Sequence, residues 1–359
     1  MSSLRVIFCA VSVGSGHIRA SESIMEHFPN SKLFDLLEHT PRWFSKIYRD
    51  GYLLAVKWFP QIVGWCYTFT DTHHLKTGGI VSWIEDWITR KFQKEIIQAN
   101  PEVIVSTHFF TSKVLTRMCR RKQLKIPVVT VITDIHPHLI WLTGESDYFC
   151  VANCSAVTES IQKGISPEKI YCTGIPVNSH FYEYSSKPIA SADNFKILIT
   201  GGGAGVGEIQ GTVQHILNRI KHANVTVVCG NNITLKQALS EIKSERLQIV
   251  GFTKSMHTLM HQADVLVCKP GGLTTAEAIT IGVPMILMQP IPGQEEKNAQ
   301  NLIAAGAAVS GYTPEAVCYI LNALIKAPEL LSEMRISALQ LRVTNSAQRI
   351  ADLIKSSVV

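Results

Sequence analysis

Long apolar runs and closely spaced cysteine pairs are missing from this sequence of 359 residues. No apolar run reaches the length of about 20 residues that a helix needs to cross a bilayer, so any work on a membrane would be peripheral. The apolar stretch near the N-terminus is also short, and we expect it to form the first strand rather than a signal peptide. The nine cysteines include no C-x-x-C pair, and several lie in apolar strands, which favours reduced thiols and a cytosolic protein.

A strong excess of one charge is missing as well. The 34 basic and 28 acidic residues leave a formal net charge of +6. That balance is too weak to indicate a nucleic-acid partner, but it is compatible with an anionic substrate and an anionic membrane surface. Tryptophan is absent from the C-terminal half, since all six tryptophans precede residue 142.

Short buried strands alternate with helical patterns along the whole chain, which predicts an α/β protein with parallel sheets covered on both faces. A stretch rich in Ser, Pro and Ala, Tyr182 to Asn194, is the best candidate linker. We therefore expect an N-terminal Rossmann-like domain over residues 1–185 and a second one over residues 190–327. Ten strands are predicted, over residues 5–11, 33–36, 103–106, 128–132, 149–152, 196–200, 225–229, 247–250, 265–268 and 285–288.

The most informative segment is Cys268 to Ala308. A buried strand runs into Lys269-Pro270-Gly271-Gly272, and a helix is predicted to open at Leu273, with Glu277 in its first turn. A strand, a glycine-rich turn and a helix N-terminus together bind anions, because unpaired backbone N–H groups converge there and glycine admits a phosphate. A carboxylate such as Glu277 would repel a bare phosphate but suits the two hydroxyls of a ribose. The segment thus predicts a nucleotide-diphosphate site.

These motifs resemble the donor-site signature of glycosyltransferase family 28. The similarity is greatest to its lipid-glycosyltransferase branch, which contains the monogalactosyldiacylglycerol synthases and diacylglycerol glucosyltransferases and carries K-x-G-x-x-T-x-x-E-A followed by G-Q-E-x-x-N. The resemblance implies the GT-B fold, two Rossmann-like domains facing across a cleft, with a C-terminal helix over residues 328–359 that crosses back to the first domain. It implies no metal and no cofactor beyond the UDP-sugar substrate. The implied donor-binding residues are Gly16, Gly202, Gly203, Phe252, Thr253, Lys269, Pro270, Gly271, Gly272, Thr274, Thr275, Glu277, Gln294, Glu295 and Asn298.

Two segments at predicted strand ends offer proton-transfer groups. Gly14-Ser-Gly16-His17 follows the first strand, and a histidine near a helix N-terminus has its pKa lowered, which suits a general base. The family has a similar G-x-G-H, although Ser15 departs from its usual glycine run, and His17 could instead contact the diphosphate. Asp134, His136 and His138 follow another strand and resemble an acceptor-side T-D-x…H arrangement. A metal site there would need further ligands, and no partner motif is present.

An aromatic segment over residues 41–91 holds five of the six tryptophans. Its Trp and Tyr residues fall near helical spacing with Lys and Arg on other faces, which is typical of a membrane interface. The same face could pack on its own domain or line a groove for acyl chains. The predicted acceptor or membrane contacts are Trp43, Tyr48, Trp58 and Trp141.

The sequence predicts an enzyme, an inverting transferase that moves a hexose from a UDP-sugar to a lipid such as diacylglycerol and forms a β-glycoside. We expect it to work as a peripheral protein on the cytoplasmic face of a membrane, with the UDP-sugar and the lipid as partners and no nucleic acid. The alternatives are UDP-N-acetylglucosamine transfer to a polyprenyl-linked peptidoglycan precursor, a UDP-sugar epimerase or hydrolase, and a non-catalytic UDP-sugar-binding subunit.

Overall fold

The structure is a computed structural model that describes residues 4–73, 79–142, 145–184, 194–203, 205 and 207–358, except the side chains of residues 52, 53 and 57. Most of the predicted linker, including the domain boundaries predicted at residues 185 and 190, lies outside the described residues. The chain divides into two compact units. The N-terminal unit comprises Met1–Asn178, Ile291–Gln294 and Asn345–Val359, and the C-terminal unit comprises Ser179–Pro290 and Glu295–Thr344.

The N-terminal unit contains a six-stranded, all-parallel sheet in the order β2-β1-β3-β4-β5-β6. Its strands are short and rich in Val and Ile, as expected for strands buried on both faces. They are β1 Val6–Ala10, β2 Lys32–Asp35, β3 Val103–Ser106, β4 Val128–Val131, β5 Tyr148–Val151 and β6 Ile170–Cys172. The helices of this unit are α1 Ser15–Met25, α2 Arg42–Trp58, α3 Pro60–Thr72, α4 Gly79–Ile88, α5 Arg90–Ala99, α6 Phe109–Arg120, α7 Leu139–Leu142, α8 Cys154–Gln162 and, from the end of the chain, α16 Ser346–Ser356.

Alternation along β1 shows how two cores form on one sheet. Ile7 and Cys9 pack into a cluster with the buried side chains of α5 and α6. Val6 and Phe8 point to the other face and pack with α1 and α16. Because successive side chains of a strand point to opposite faces, five consecutive apolar residues can serve both layers of helices.

The C-terminal unit repeats this plan with a six-stranded parallel sheet in the order β12-β11-β10-β7-β8-β9. Its strands are β7 Phe195–Thr200, β8 Ala223–Val228, β9 Leu247–Val250, β10 Val265–Cys268, β11 Met285–Leu287 and β12 Ala308–Ser310. Its helices are α9 Ile209–Arg219, α10 Ile233–Ser240, α11 Met256–Gln262, α12 Gly272–Ile281, α13 Gln294–Ala304, α14 Pro314–Lys326 and α15 Pro328–Gln340. Short 3₁₀ turns cover Leu36–His39, Pro167–Lys169 and Ser179–Tyr182. The predicted fold of two Rossmann-like domains is confirmed.

The end of the chain differs from the single helix predicted over residues 328–359. Two helices occupy this segment, α15 in the C-terminal unit and α16 in the N-terminal unit. Asn345 separates them in a left-handed conformation with φ of 55°. Asparagine tolerates that conformation better than most residues, so the chain can turn there into α16, of which Asn345 is the N-cap.

Candidate functional site

The order of strands reverses at one place in each sheet, and two of the candidate site residues follow strands at these places. In the N-terminal unit the reversal falls between β1 and β3, and in the C-terminal unit between β7 and β10. Parallel α/β sheets bind ligands at the carboxyl ends of the strands beside such a reversal. His17 follows β1, and Lys269 follows β10.

His17 is the third residue of α1, and the contacts that orient its ring are made at Nδ1. Its Nδ1 lies 2.8 Å from the carbonyl oxygen of Thr107 and 3.0 Å from the hydroxyl oxygen of Thr133. A carbonyl oxygen can only accept, so Nδ1 carries the proton in the neutral ring and Nε2 has the free lone pair. Within the described residues Nε2 has no hydrogen-bond partner. Burial lowers the pKa of His17, although the nearby Asp134 carboxylate acts in the opposite direction. The ring is thus neutral and can accept a proton through Nε2.

His108 stands beside this base, and the sequence reasoning missed it. It is the N-cap of α6, where its Nδ1 accepts a hydrogen bond from the backbone N–H of Phe110 at 3.1 Å. Its ring meets that of His17 edge to face, with 4.6 Å between the ring centroids. Burial, and then the proximity of His17, lower the pKa of His108. The available signal was its position, because His108 follows β3, the strand across the reversal from β1.

Asp134 is buried and held from two sides. The indole N–H of Trp141 donates to one carboxylate oxygen at 3.2 Å, and the side-chain amide of Gln294 donates to the other at 2.5 Å. Gln294, predicted to bind donor sugar, therefore meets the acceptor-side residues within the N-terminal unit. Trp141 is only 3% exposed, so of the two contacts predicted for it, acceptor or membrane, its burial leaves the acceptor side. Its acceptor-side role stays a prediction.

His136 and His138 contact a different set of residues from the one that His17 contacts. His136 lies between the carboxylates of Asp71 and Glu159. The Nε2 of His138 lies 2.8 Å from the carbonyl oxygen of Tyr67. Among the described residues no group of three or more His, Cys, Asp or Glu side chains is arranged to hold a metal ion.

The donor-site residues of the C-terminal unit cluster around the loop after β10. Lys269 forms an ion pair of 3.1 Å with Glu295 of α13, and both side chains are largely buried. The side-chain amide of Asn298 donates to the carbonyl oxygen of Pro270 at 3.1 Å. These two contacts fix the Lys269-Pro270 loop to α13, as expected if the two predicted motifs form one site.

Helix α12 begins at Gly272 with Gly271 as its N-cap, and no side chain in the described part of the chain caps it. Its first backbone N–H groups are therefore open to a ligand. Thr274 is partly exposed at this end, whereas the Thr275 hydroxyl bonds back to the carbonyl oxygen of Gly271 at 3.0 Å. The prediction that Glu277 lies in the first turn is wrong, because it is the sixth residue of α12. The helix starts at the glycines and Glu277 is buried one turn further on.

Two further predicted donor segments lie at strand ends of the same unit. Gly202 and Gly203 follow β7, and Gly202 adopts a φ of 73° that favours glycine. Phe252 follows β9 with an exposed ring, and the Thr253 hydroxyl accepts from the Ser255 backbone N–H at 3.0 Å. Gly16, in the N-terminal unit, is the second residue of α1. Their donor-binding roles stay predictions.

The aromatic segment forms helices α2, α3 and α4, which expose a broad apolar surface. Trp43 is 51% and Trp58 is 67% exposed, whereas the ring of Tyr48 stacks on that of Phe110 and belongs to the edge of a core cluster. Tyr48 thus packs on its own domain. None of the helices in the described part of the chain combines the length and the apolar character needed to cross a membrane. The exposed apolar side chains of these three helices, here called the apolar surface, are Trp43, Ile47, Leu54, Trp58, Phe59, Ile62, Trp65, Phe69, Ile80, Val81, Trp83, Ile84 and Trp87.

Comparison with known proteins divides the chain at the same place as the fold. Residues 17–177 match the family model of monogalactosyldiacylglycerol (MGDG) synthase, and residues 196–350 match that of the glycosyltransferase family 28 C-terminal domain. Among curated relatives, the processive diacylglycerol beta-glucosyltransferase of Staphylococcus saprophyticus is 29% identical over 92% of this chain and 87% of its own. The protein of the same name from Bacillus subtilis is 27% identical over 98% of this chain and 95% of its own. The crystal structure of Acinetobacter baumannii MurG superimposes with a TM-score of 0.64, at 20% identity over 98% of this chain and 99% of that one.

Proposed function

Because the chain belongs to glycosyltransferase family 28, we propose that it is a hexosyltransferase that moves glucose from UDP-glucose to diacylglycerol. The observation that carries this proposal is the pair of family matches, in which the N-terminal unit matches the MGDG synthase model and the C-terminal unit matches the family 28 C-terminal domain. The names of the curated relatives favour glucose over galactose and favour diacylglycerol as the acceptor. Neither polyprenyl acceptors nor epimerisation has comparable support.

His17 is the proposed general base. Its Nε2 lone pair accepts the proton of the acceptor hydroxyl, while the Nδ1–H bond to Thr107 keeps the ring in one tautomer. Positioned general bases contribute about 10²–10⁴ in rate. A base that activates the acceptor for direct attack on the anomeric carbon inverts the configuration there, which gives a β-glycoside from an α-linked donor. Asp134 lies close enough to act on the charge of His17, so it favours the imidazolium that forms during transfer.

The leaving UDP is proposed to bind at the N-terminus of α12. The uncapped N–H groups after Gly271 offer donors to the diphosphate, and the helix dipole favours its negative charge. We propose that this stabilisation suffices without a metal ion. Glu277 is the proposed ligand of the ribose, and Gln294, Glu295 and Asn298 are proposed to act on the sugar, directly or through the loop that they hold.

The apolar surface is proposed to bind the membrane that supplies the acceptor. Trp58, Trp65 and Trp83 are each at least 65% exposed, and exposed Arg42 and Lys46 lie on the same helix as Trp58. Tryptophan partitions into the interfacial region of a bilayer, and each nearby basic residue adds about 1 kcal/mol on an anionic surface. We therefore propose peripheral attachment, with the cytoplasmic face as the expected side.

UDP release tests the proposal. UDP-glucose, UDP-galactose and UDP-N-acetylglucosamine are each supplied with and without diacylglycerol in mixed micelles, to the wild type, to His17→Ala and to a control that replaces an exposed histidine of the C-terminal unit, His222→Ala. We expect diacylglycerol-dependent release from UDP-glucose, lost in His17→Ala and retained in His222→Ala. Release without lipid would indicate a hydrolase or epimerase, and release only with a polyprenyl-linked acceptor would replace the lipid assignment.

A further inference from the structure

Four charged side chains that the proposed reaction does not use form a compact cluster in the N-terminal unit. Asp71, near the end of α3, lies 2.8 Å from Nε2 of His136 and 2.6 Å from the ammonium group of Lys163. The Nδ1 of His136 lies 2.8 Å from the carboxylate of Glu159 on α8. We call these four residues the Asp71 cluster. It holds two acidic and two basic side chains, so its charges balance when all four are ionised.

The geometry requires that His136 is protonated. A carboxylate only accepts hydrogen bonds, and a neutral imidazole has only one N–H to donate. Bonds of 2.8 Å to Asp71 and to Glu159 at the same time are satisfied only by the imidazolium. Burial lowers the pKa of His136 and Lys163 opposes its charge, but the two carboxylates outweigh both and raise the pKa. A ring with N–H donors on both nitrogens has no lone pair to accept a proton, so His136 is unsuited to be the base.

His138 is occupied in a different way. Its Nε2 donates to the Tyr67 carbonyl oxygen at 2.8 Å, and its Nδ1 accepts the backbone N–H of Ile140 at 2.9 Å. Burial lowers its pKa, although the Tyr67 carbonyl and Asp71 act in the opposite direction. The ring also packs against that of Tyr67, with 4.0 Å between the centroids. Because both of its ring nitrogens make hydrogen bonds, the neutral His138 links α3 to the loop after β4.

The two histidines attach α3 to the loop that carries the reaction groups. Asp71 also accepts the backbone N–H of Leu139 at 2.8 Å, so the last turns of α3 are fixed to residues 136–139. Three residues before His136 in the same loop, the Thr133 hydroxyl lies 3.0 Å from Nδ1 of His17. The outer face of α3 exposes Trp65 and other side chains of the apolar surface. One short loop thus connects an exposed apolar helix to the candidate base.

We propose that Asp71 and His136 are positioning residues. They hold α3 at a fixed position relative to His17 and Asp134, so that acceptor lipid taken up along α3 reaches the base. This inference rests on the proposed function, because it concerns how the acceptor of that reaction is delivered. Loss of the cluster should therefore weaken the use of lipid while leaving donor binding and the chemical step intact.

Steady-state kinetics of Asp71→Asn and His136→Gln test this proposal, with diacylglycerol varied at saturating UDP-glucose and then the reverse. We expect the KM for lipid to rise about tenfold, with kcat and the KM for UDP-glucose within about twofold of wild type. His136→Lys, which keeps a cation between the carboxylates, should restore much of the lipid KM. Asp264→Asn is the matched control, since this buried carboxylate of the C-terminal unit accepts the backbone N–H of Lys196 at 2.8 Å and lies outside the cluster. It should leave the lipid KM unchanged even where it lowers Tm.

The pH dependence supplies a second readout. Because the pKa of His136 is raised, its ion pairs in the Asp71 cluster are fully formed below the ordinary histidine pKa of about 6.5. They weaken as the pH rises through the higher pKa that His136 has in the folded protein. The lipid KM of the wild type should rise over that interval, and that of His136→Lys should not. If the variants instead show a lower kcat and a similar rise in both KM values, in proportion to a fall in Tm, the cluster has only a structural role and the proposal is overturned. Absence of lipid-dependent UDP release in the wild type would instead overturn the proposed function.

Discussion

His17 donates from Nδ1 to the carbonyl oxygen of Thr107 across 2.8 Å, and the Thr107 hydroxyl returns a bond of 2.9 Å to the His17 carbonyl oxygen. This reciprocal pair joins the start of α1 to the end of β3, on the two sides of the strand-order reversal in the N-terminal sheet. It sets both the direction and the tautomer of the ring. The expected consequence is that Nε2, the nitrogen opposite this contact, is the one that performs proton transfer.

Replacing His17 with Asn separates the hydrogen bond to Thr107 from the proton-accepting nitrogen Nε2. The side-chain amide of Asn can still donate to the Thr107 carbonyl oxygen from a position near that of Nδ1, but it has no equivalent of Nε2. We expect kcat to fall by about 10²–10⁴ with Tm and the affinity for UDP unchanged. Kinetics, thermal unfolding and calorimetric titration with UDP measure the three quantities, and retention of more than a tenth of kcat would exclude His17 as the base.

The acid side of the pH–rate profile reports on His17 directly. The base is active only when neutral, and burial lowers its pKa, so activity should persist below the pH of about 6.5 at which an ordinary histidine half-titrates. Asp134 raises that pKa by its charge. Asp134→Asn should therefore move the acid limb of kcat to still lower pH, in addition to lowering kcat itself. A shift to higher pH would show that the limb belongs to another group.

The fold was predictable from the sequence because ten strands carry continuous runs of Val, Ile and Leu. β6 and β12 were missed, since each has only three residues at a sheet edge and little apolar pattern. The predicted donor residues around Lys269 lie together because they are local in sequence. In contrast, Asp71 was missed because it reaches His136 across 65 positions and nothing local marks it. His108 was missed although it follows a predicted strand, because no motif accompanies it there.

Gly271→Ala tests whether a phosphate approaches the backbone at the start of α12. Among the described residues, no heavy atom lies within 4 Å of a Cβ at this position, so there is room for it. We expect Tm to fall by only a few degrees, because the φ of Gly271 is −71° and the main cost is that of alanine in place of glycine at an N-cap. If the diphosphate lies against this backbone, UDP affinity should fall about tenfold or more.

Substitutions at two other glycines serve as controls for the Gly271→Ala measurement. At Gly205, with φ of 58°, a Cβ would clash with the carbonyl oxygen of Cys229, so Gly205→Ala should destabilise the fold by about 2 kcal/mol or more. Gly79→Ala should change neither Tm nor UDP affinity, because a Cβ there meets no heavy atom of the described residues within 4 Å and no predicted donor-binding residue lies near it in sequence. Unchanged UDP affinity in Gly271→Ala would remove the start of α12 from the donor site.

Replacing Trp58 and Trp83 together with serine tests the apolar surface as a membrane contact. Both side chains are more than 65% exposed, so their loss should leave the core and Tm unchanged. On vesicles with anionic lipid, sedimentation should show at least about a tenfold loss of binding, because two interfacial anchors are removed. Raised salt should weaken the remaining binding, since Arg42 and Lys46 are exposed on the same helix as Trp58. Tyr319→Ser is the matched control, because Tyr319 is a 78% exposed aromatic residue of the C-terminal unit. If the double variant binds vesicles as well as this control does, the apolar surface has some other occupant, and lipid-dependent UDP release must depend on a different face of the protein.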